Sequence, residues 1–360
     1  MVEVVQKLCE DMMLSLRKVE VDIKKNINDL LLEHRHLERD HVRGSILDWI
    51  TPFEYSRQQN ETISKRQPGT CQWFLDSLEF QKWIKSDGQT LFCPGIPGAG
   101  KTVLVSVVVD SLIALFRSDE TIGIAYVYCD FRKTHEQTAK DILASLLRQL
   151  AYGQSYLPAS VISLHDMHRA QGSLPSFEEL LTTFRSVAAL FSKIFVVIDA
   201  IDEMSMACRY KLIPEILDQQ YKVNIFVTSR YIPDIVQEFK GSTALEIRAS
   251  NPDVESYIET HIKSLPCFDD WSPKLHEEVK THISTAVDGM FLLAHIYLKS
   301  IEDKITNKAV RRAMIQFKAP KLPPSESKKC ELFDEIYNQT MERVNGQKAG
   351  FREFAVKILS

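Results

Sequence analysis

Thr90-Leu91-Phe92-Cys93-Pro94-Gly95-Ile96-Pro97-Gly98-Ala99-Gly100-Lys101-Thr102 decides how this chain folds. Its first five residues are an apolar, β-rich run. The next eight match G-x-x-x-x-G-K-[ST] at every fixed position, and Lys101 to Phe116 continues with helical periodicity. A strand that turns sharply into a helix brings consecutive backbone N–H groups together at the helix N-terminus, where the positive end of the dipole also lies. Gly95 and Gly100 are expected to permit the bend. Such a loop, Gly95 through Thr102, grips a polyphosphate: Lys101 is expected to bridge the β- and γ-phosphates and Thr102 to place its hydroxyl on Mg²⁺.

Outward from this loop, short apolar runs alternate with helix-period segments as far as Ala249. Strands are expected at Thr90 to Cys93, Ile124 to Cys129, Ile194 to Ile198, Asn224 to Thr228 and Ala244 to Ile247. The helices between them are expected at Lys101 to Phe116, Ala139 to Tyr152, Ser176 to Phe191 and Cys208 to Gln219. This alternation predicts the α/β class: a parallel five-stranded sheet flanked by helices. Two strand ends carry chemistry. Phe195 to Ile198 runs into Asp199, then Asp202 and Glu203, a Walker-B-like pattern in which Asp199 is expected to hold the metal through water and Asp202 or Glu203 to polarise the attacking water. Asn224 to Thr228 runs into Ser229 and Arg230, whose planar guanidinium suits the γ-phosphate. Phe131 and Arg132 follow another strand at the same edge, and Arg132 is expected to face solvent.

The remaining sequence is read as helical. Residues 1–43 carry an amphipathic stripe from Val5 to Leu37, and residues 44–69 read as a connector. The NTP-binding domain spans 70–250, with Thr70 as a candidate helix cap, and a helical lid spans 251–317. A Pro- and Lys-rich linker occupies 318–331, and two further helices follow in 332–360. Among 360 residues, 44 Lys and Arg stand against 48 Asp and Glu, a net charge of −4, which disfavours nucleic acid as a partner. No apolar run approaches the roughly 20 residues of a membrane span, and charges interrupt the N-terminal apolar pattern. The chain is therefore expected to be cytoplasmic, with its seven scattered cysteines reduced. His165 and His168, the His34, His36, His41 group, and His276 with Glu277 all lack the further ligands of a metal site, and no nucleophile elbow is present.

The run from Gly69 to Thr102, together with V-V-I-D-A-I-D-E (Val196 to Glu203), F-V-T-S-R (Phe226 to Arg230) and D-G-M-F-L-L-A (Asp288 to Ala294), resembles the nephrocystin-like NACHT NTPases of fungi. These are STAND-class signalling ATPases, and the likeness extends over residues 43 to 317. The resemblance implies a switch that binds ATP, or in some members GTP, with Mg²⁺. Slow hydrolysis or exchange would be coupled to self-association. It also implies that Leu332 to Ser360 opens a winged-helix module, incomplete here, with ankyrin or similar repeats beyond it; the amphipathic N-terminal stripe, for its part, is expected to engage an unidentified protein partner. Gly289, Met290 and Phe291 stand where related switches carry G-x-P, whose proline contacts the base. Two other readings are an interaction scaffold that binds nucleotide structurally without turnover, and a nucleic-acid motor, which the net charge disfavours.

Overall fold

The computed structural model describes residues 38–315 except 134–136, 218–221, 266–267, 269–270, 288 and 305, together with isolated positions nearer the N-terminus. Most of the N-terminal stripe, the linker and the expected start of a winged-helix module therefore lie outside the described residues. The chain is helical over 38–50 (α1), and α2 (Ser56–Ile63), α3 (Gln72–Leu75) and α4 (Leu78–Lys85) lead into β1 (Thr90–Pro94). Then come α5 (Lys101–Leu115), β2 (Ile122–Tyr128), α6 (Ala139–Tyr152), α7 (Ala159–Gln171), α8 (Phe177–Ala188) and β3 (Lys193–Asp199). They are followed by α9 (Met206–Ile216), β4 (Val223–Ser229), α10 (Pro233–Glu238) and β5 (Thr243–Ala244). Finally, α11 (Asn251–Ile262), α12 (Pro273–Val287), α13 (Phe291–Ile301) and α14 (Asn307–Met314) pack on one another.

All five strands are parallel, in the order β2-β3-β4-β1-β5. Their apolar residues are buried nearly end to end, β4 over its whole length, as expected of strands covered on both faces. Because β4 lies between β1 and β3, the chain end of β4 emerges beside the phosphate loop. The order is the one that brings the three motif-bearing strand ends together.

Buried polar groups secure the entry to β1. The Trp83 indole N–H donates to the carbonyls of Gln89 (3.1 Å) and Ile225 (3.0 Å), while its ring packs on Phe80, Phe195 and Phe226. Fully buried Asn224 donates to the carbonyls of Trp83 and Ser86 at the end of α4 and accepts from Gln89 N (3.1 Å). These bonds satisfy helix-end carbonyls that would otherwise be buried without partners.

Several expectations are corrected. The connector proposed for 44–69 is largely helical: α1 runs on to residue 50, burying Ile46, Leu47 and Ile50, and α2 follows. Arg43 ties α1 to the carbonyls of Tyr152 and Gln154 (2.5 and 2.6 Å) at the end of α6, and Trp49 meets His165 edge-on. α2 has almost no apolar stripe, and its one buried residue is Gln59, so tertiary hydrogen bonding rather than periodicity holds it. Thr70 caps no helix; its hydroxyl donates to Gln67 O (2.7 Å), and Cys71 takes the cap position at φ 67°. The strand expected over Ala244 to Ile247 shrinks to two residues, although Ile247 still bridges Gly95. The short helix α10 was not foreseen.

Candidate functional site

Gly95 to Gly100 form the turn between β1 and α5, and Gly100 caps α5 at φ 91°, a left-handed conformation that disfavours any side chain. Gly95 is needed for a different reason from the one expected. Its φ is not positive; instead a Cβ there would lie 2.6 Å from Ile247 O, because the chain after β5 runs against it. The Lys101 ammonium donates to the carbonyls of Gly95 (3.0 Å) and Ile96 (3.1 Å), folded back along its own loop. Burial lowers its pKa, and the carboxylates of Asp202 and Asp199 oppose that shift.

Asp199 ends β3 and is 3% exposed. Thr228, fully buried on β4, donates its hydroxyl hydrogen to Asp199 Oδ1 (2.6 Å) and accepts from Ala200 N (2.9 Å). Burial raises the Asp199 pKa, and hydrogen bonds from Thr228 and Thr102 together with the Lys101 charge offset part of that rise. A carboxylate so short of solvent, with a threonine hydroxyl at hand and an ammonium nearby, gains from a hard cation. Asp199 and Thr102 therefore fit Mg²⁺, whose remaining ligands are ordinarily water and phosphate oxygens. Among the described residues no group of three or more His, Cys, Asp or Glu forms an all-protein metal cage.

The chain turns left-handed at Ala200 (φ 52°) into a single turn at Ile201–Glu203, which separates the two remaining carboxylates. The Asp202 side chain is 2% exposed and clasps Arg230, accepting from its Nε (2.5 Å) and backbone N (3.1 Å). Glu203 turns the other way: Oε2 accepts from Phe131 N (3.2 Å), in the loop after β2. Burial raises its pKa, and the Phe131 amide moderates the effect. Arg132 pairs with Asp130 (3.0 Å) and is mostly exposed, as expected.

Thus the structure brings Lys101, Thr102, Asp199, Asp202, Glu203 and Arg230 to one end of the sheet. The sequence reading placed the Thr228 hydroxyl at this strand end but assigned it no role toward Asp199, the contact that only the structure shows. It also missed the walls of a cavity of about 220 Å³ beside the loop, lined among others by Trp73, Val103, Asp253, Tyr257 and Phe291. Leu292 N donates to Gly98 O (3.2 Å), and a Cβ on Gly100 would lie 3.2 Å from the Phe291 ring. The first turn of α13 is therefore seated on the phosphate loop.

Residues 69–230 match the family Nephrocystin 3, N-terminal. A vegetative incompatibility protein of Podospora anserina, HET-E-1, is 23% identical over 259 residues, covering 68% of this chain. The chain spans about a fifth (19%) of that relative's length. Among solved structures, the Aeropyrum pernix ORC2 protein in ADPNP–ADP complexes is similar, with a TM-score of 0.42 and 14% identity, over 73% of this chain and 68% of that one. A Walker-type ATPase of Pyrococcus abyssi is similar with a TM-score of 0.44 and 11% identity, over 78% and 82% of the two chains.

Proposed function

We propose that the chain, whose residues 69–230 match the Nephrocystin 3, N-terminal family, is a STAND-type switch of the NACHT kind that binds ATP with Mg²⁺ and hydrolyses it slowly. One observation carries the reading: the ends of three parallel strands converge, so that Lys101, the buried Asp199–Thr228 pair and the Asp202–Arg230 pair surround one phosphate loop. Thr102 and Asp199 would hold the metal, which neutralises charge on the phosphates. The loop N–H groups and Lys101 bind the β- and γ-phosphates. The cavity beside Phe291 and Tyr257 receives the base.

Of the two candidate bases, Glu203 suits the task better. Its carboxylate is held by one amide and its pKa is raised, as a group that takes a proton from water requires. Asp202 is engaged by Arg230 and acts as its positioning partner. Arg230 senses the γ-phosphate. Occupancy is relayed through Gly98 and Leu292 to the lid, α11 to α14, and self-association of the cytoplasmic chain follows.

Lys101→Ala should abolish binding of a fluorescent ATP analogue, measured by anisotropy; unchanged affinity sinks the proposal. Competition by GTP in the same titration decides the nucleotide. Tight binding of the analogue by a parent chain that shows no turnover would favour the scaffold reading.

A further inference from the structure

Four buried polar side chains join the helical segment before the sheet to the loop that holds Glu203. Gln137, 8% exposed, lies just before α6. Its Oε1 accepts from Asp130 N (2.9 Å), and its Nε2 donates to Tyr128 O (2.8 Å) and to the Tyr55 hydroxyl (3.1 Å). Its own backbone N closes the loop on Lys133 O (2.7 Å). The adjacent residue, Phe131, supplies the amide that Glu203 accepts. On the other side, the Tyr128 hydroxyl donates to Gln59 Oε1, and Gln59 Nε2 donates to Ser106 O (2.8 Å), one turn beyond Thr102 on α5. Tyr55 and Gln59 therefore hold both the Glu203 loop and the phosphate-loop helix.

A buried side-chain amide that spends both its ends on one loop costs stability unless every bond is made. Gln59 and Gln137 make theirs, where an apolar contact would fill the same space without fixing direction. The outcome is a defined orientation for the Phe131 N–H. Moving that donor by an ångström would release Glu203 without touching any group that binds phosphate.

We propose that Gln137 is a positioning residue for hydrolysis and that, through Tyr55 and Gln59, it makes the placement of Glu203 depend on the docking of the N-terminal helices. This rests on Glu203 acting as the base. The groups facing Glu203 are the Phe131 amide and the charges of Asp202, Arg230 and Asp199. With the Phe131 donor displaced, the carboxylate loses a bond that favours its ionised form, so more of it is protonated at a given pH.

The test uses the 360-residue chain with Gln137→Met, which keeps the volume and removes the three side-chain bonds, and Tyr55→Phe, which removes one hydroxyl. Steady-state ATP turnover across pH and analogue affinity are measured for each, with Glu203→Gln as control. Expected for Gln137→Met is a fall in turnover of about tenfold, a fraction of what general-base catalysis supplies. Analogue affinity should stay within about twofold, and the acid limb of the turnover profile should move to higher pH. Tyr55→Phe should shift turnover and the acid limb in the same direction by less, and it carries the test if Gln137→Met does not fold. Turnover and acid limb like those of the parent chain overturn the proposal, as does a loss of affinity that matches the loss of turnover. If Glu203→Gln retains full turnover, or the parent chain has none, the assignment of the base fails and the proposal falls with it. Inactive Glu203→Gln beside fully active Gln137→Met refutes the positioning role alone.

Discussion

Replacing Thr228 by Val tests the electrostatics on which the site rests. The two side chains are nearly isosteric, so packing in the fully buried β4 position is preserved while the hydroxyl is lost. Two bonds disappear: the donation to Asp199 Oδ1 (2.6 Å) and the acceptance from Ala200 N (2.9 Å). A hydrogen bond to a charged group contributes about 1.5–3 kcal/mol, and an amide left buried without a partner costs about 1–3 kcal/mol. Since the losses share one local relaxation, the expected destabilisation is about 3 kcal/mol. The cost should depend on pH. Burial raises the Asp199 pKa above its ordinary 3.8, so the folded state holds this proton more tightly than the unfolded chain. Its ionisation therefore withdraws stability as pH rises from the ordinary value through the folded one. Without Thr228 the folded pKa climbs further and more stability is withdrawn. Urea unfolding followed by Trp fluorescence, with Trp83 packed in the sheet core, should give a larger cost at about pH 7.5 than at about pH 4.5. A cost below about 0.5 kcal/mol, or one that does not vary with pH, would refute the reasoning.

Two backbone substitutions are expected to act with opposite sign. Gly95→Ala places a methyl 2.6 Å from Ile247 O and should destabilise the chain by about 1–3 kcal/mol in urea unfolding, although its own φ is unexceptional. Ala200→Gly relieves a left-handed residue at φ 52° and should stabilise by about 0.5–1 kcal/mol in the same assay. With Lys101→Ala and Gln137→Met, these variants separate phosphate binding, positioning of the base, and the backbone turns that aim both.

The phosphate loop, the class of the sheet and Asp199 were legible in the sequence because each depends on local chemistry. A glycine-rich turn between a strand and a helix converges N–H groups wherever it occurs, and an apolar run that ends in a carboxylate displays it at the sheet's edge. The order β2-β3-β4-β1-β5 was legible only as a condition, since pairing is decided between residues more than a hundred positions apart, such as Phe92 with Val227. The division of labour between Asp202 and Glu203 could not be read at all. They are adjacent and chemically alike, and only the folded chain turns one to Arg230 and the other to the Phe131 amide. The same holds for α2 and Gln137, whose polar side chains carry no periodic signal. Sequence by itself determined which groups could bind phosphate. Tertiary structure decided which carboxylate is clasped by Arg230 and which meets the Phe131 amide, because burial and hydrogen-bond partners, unlike residue type, exist only once distant segments are packed together.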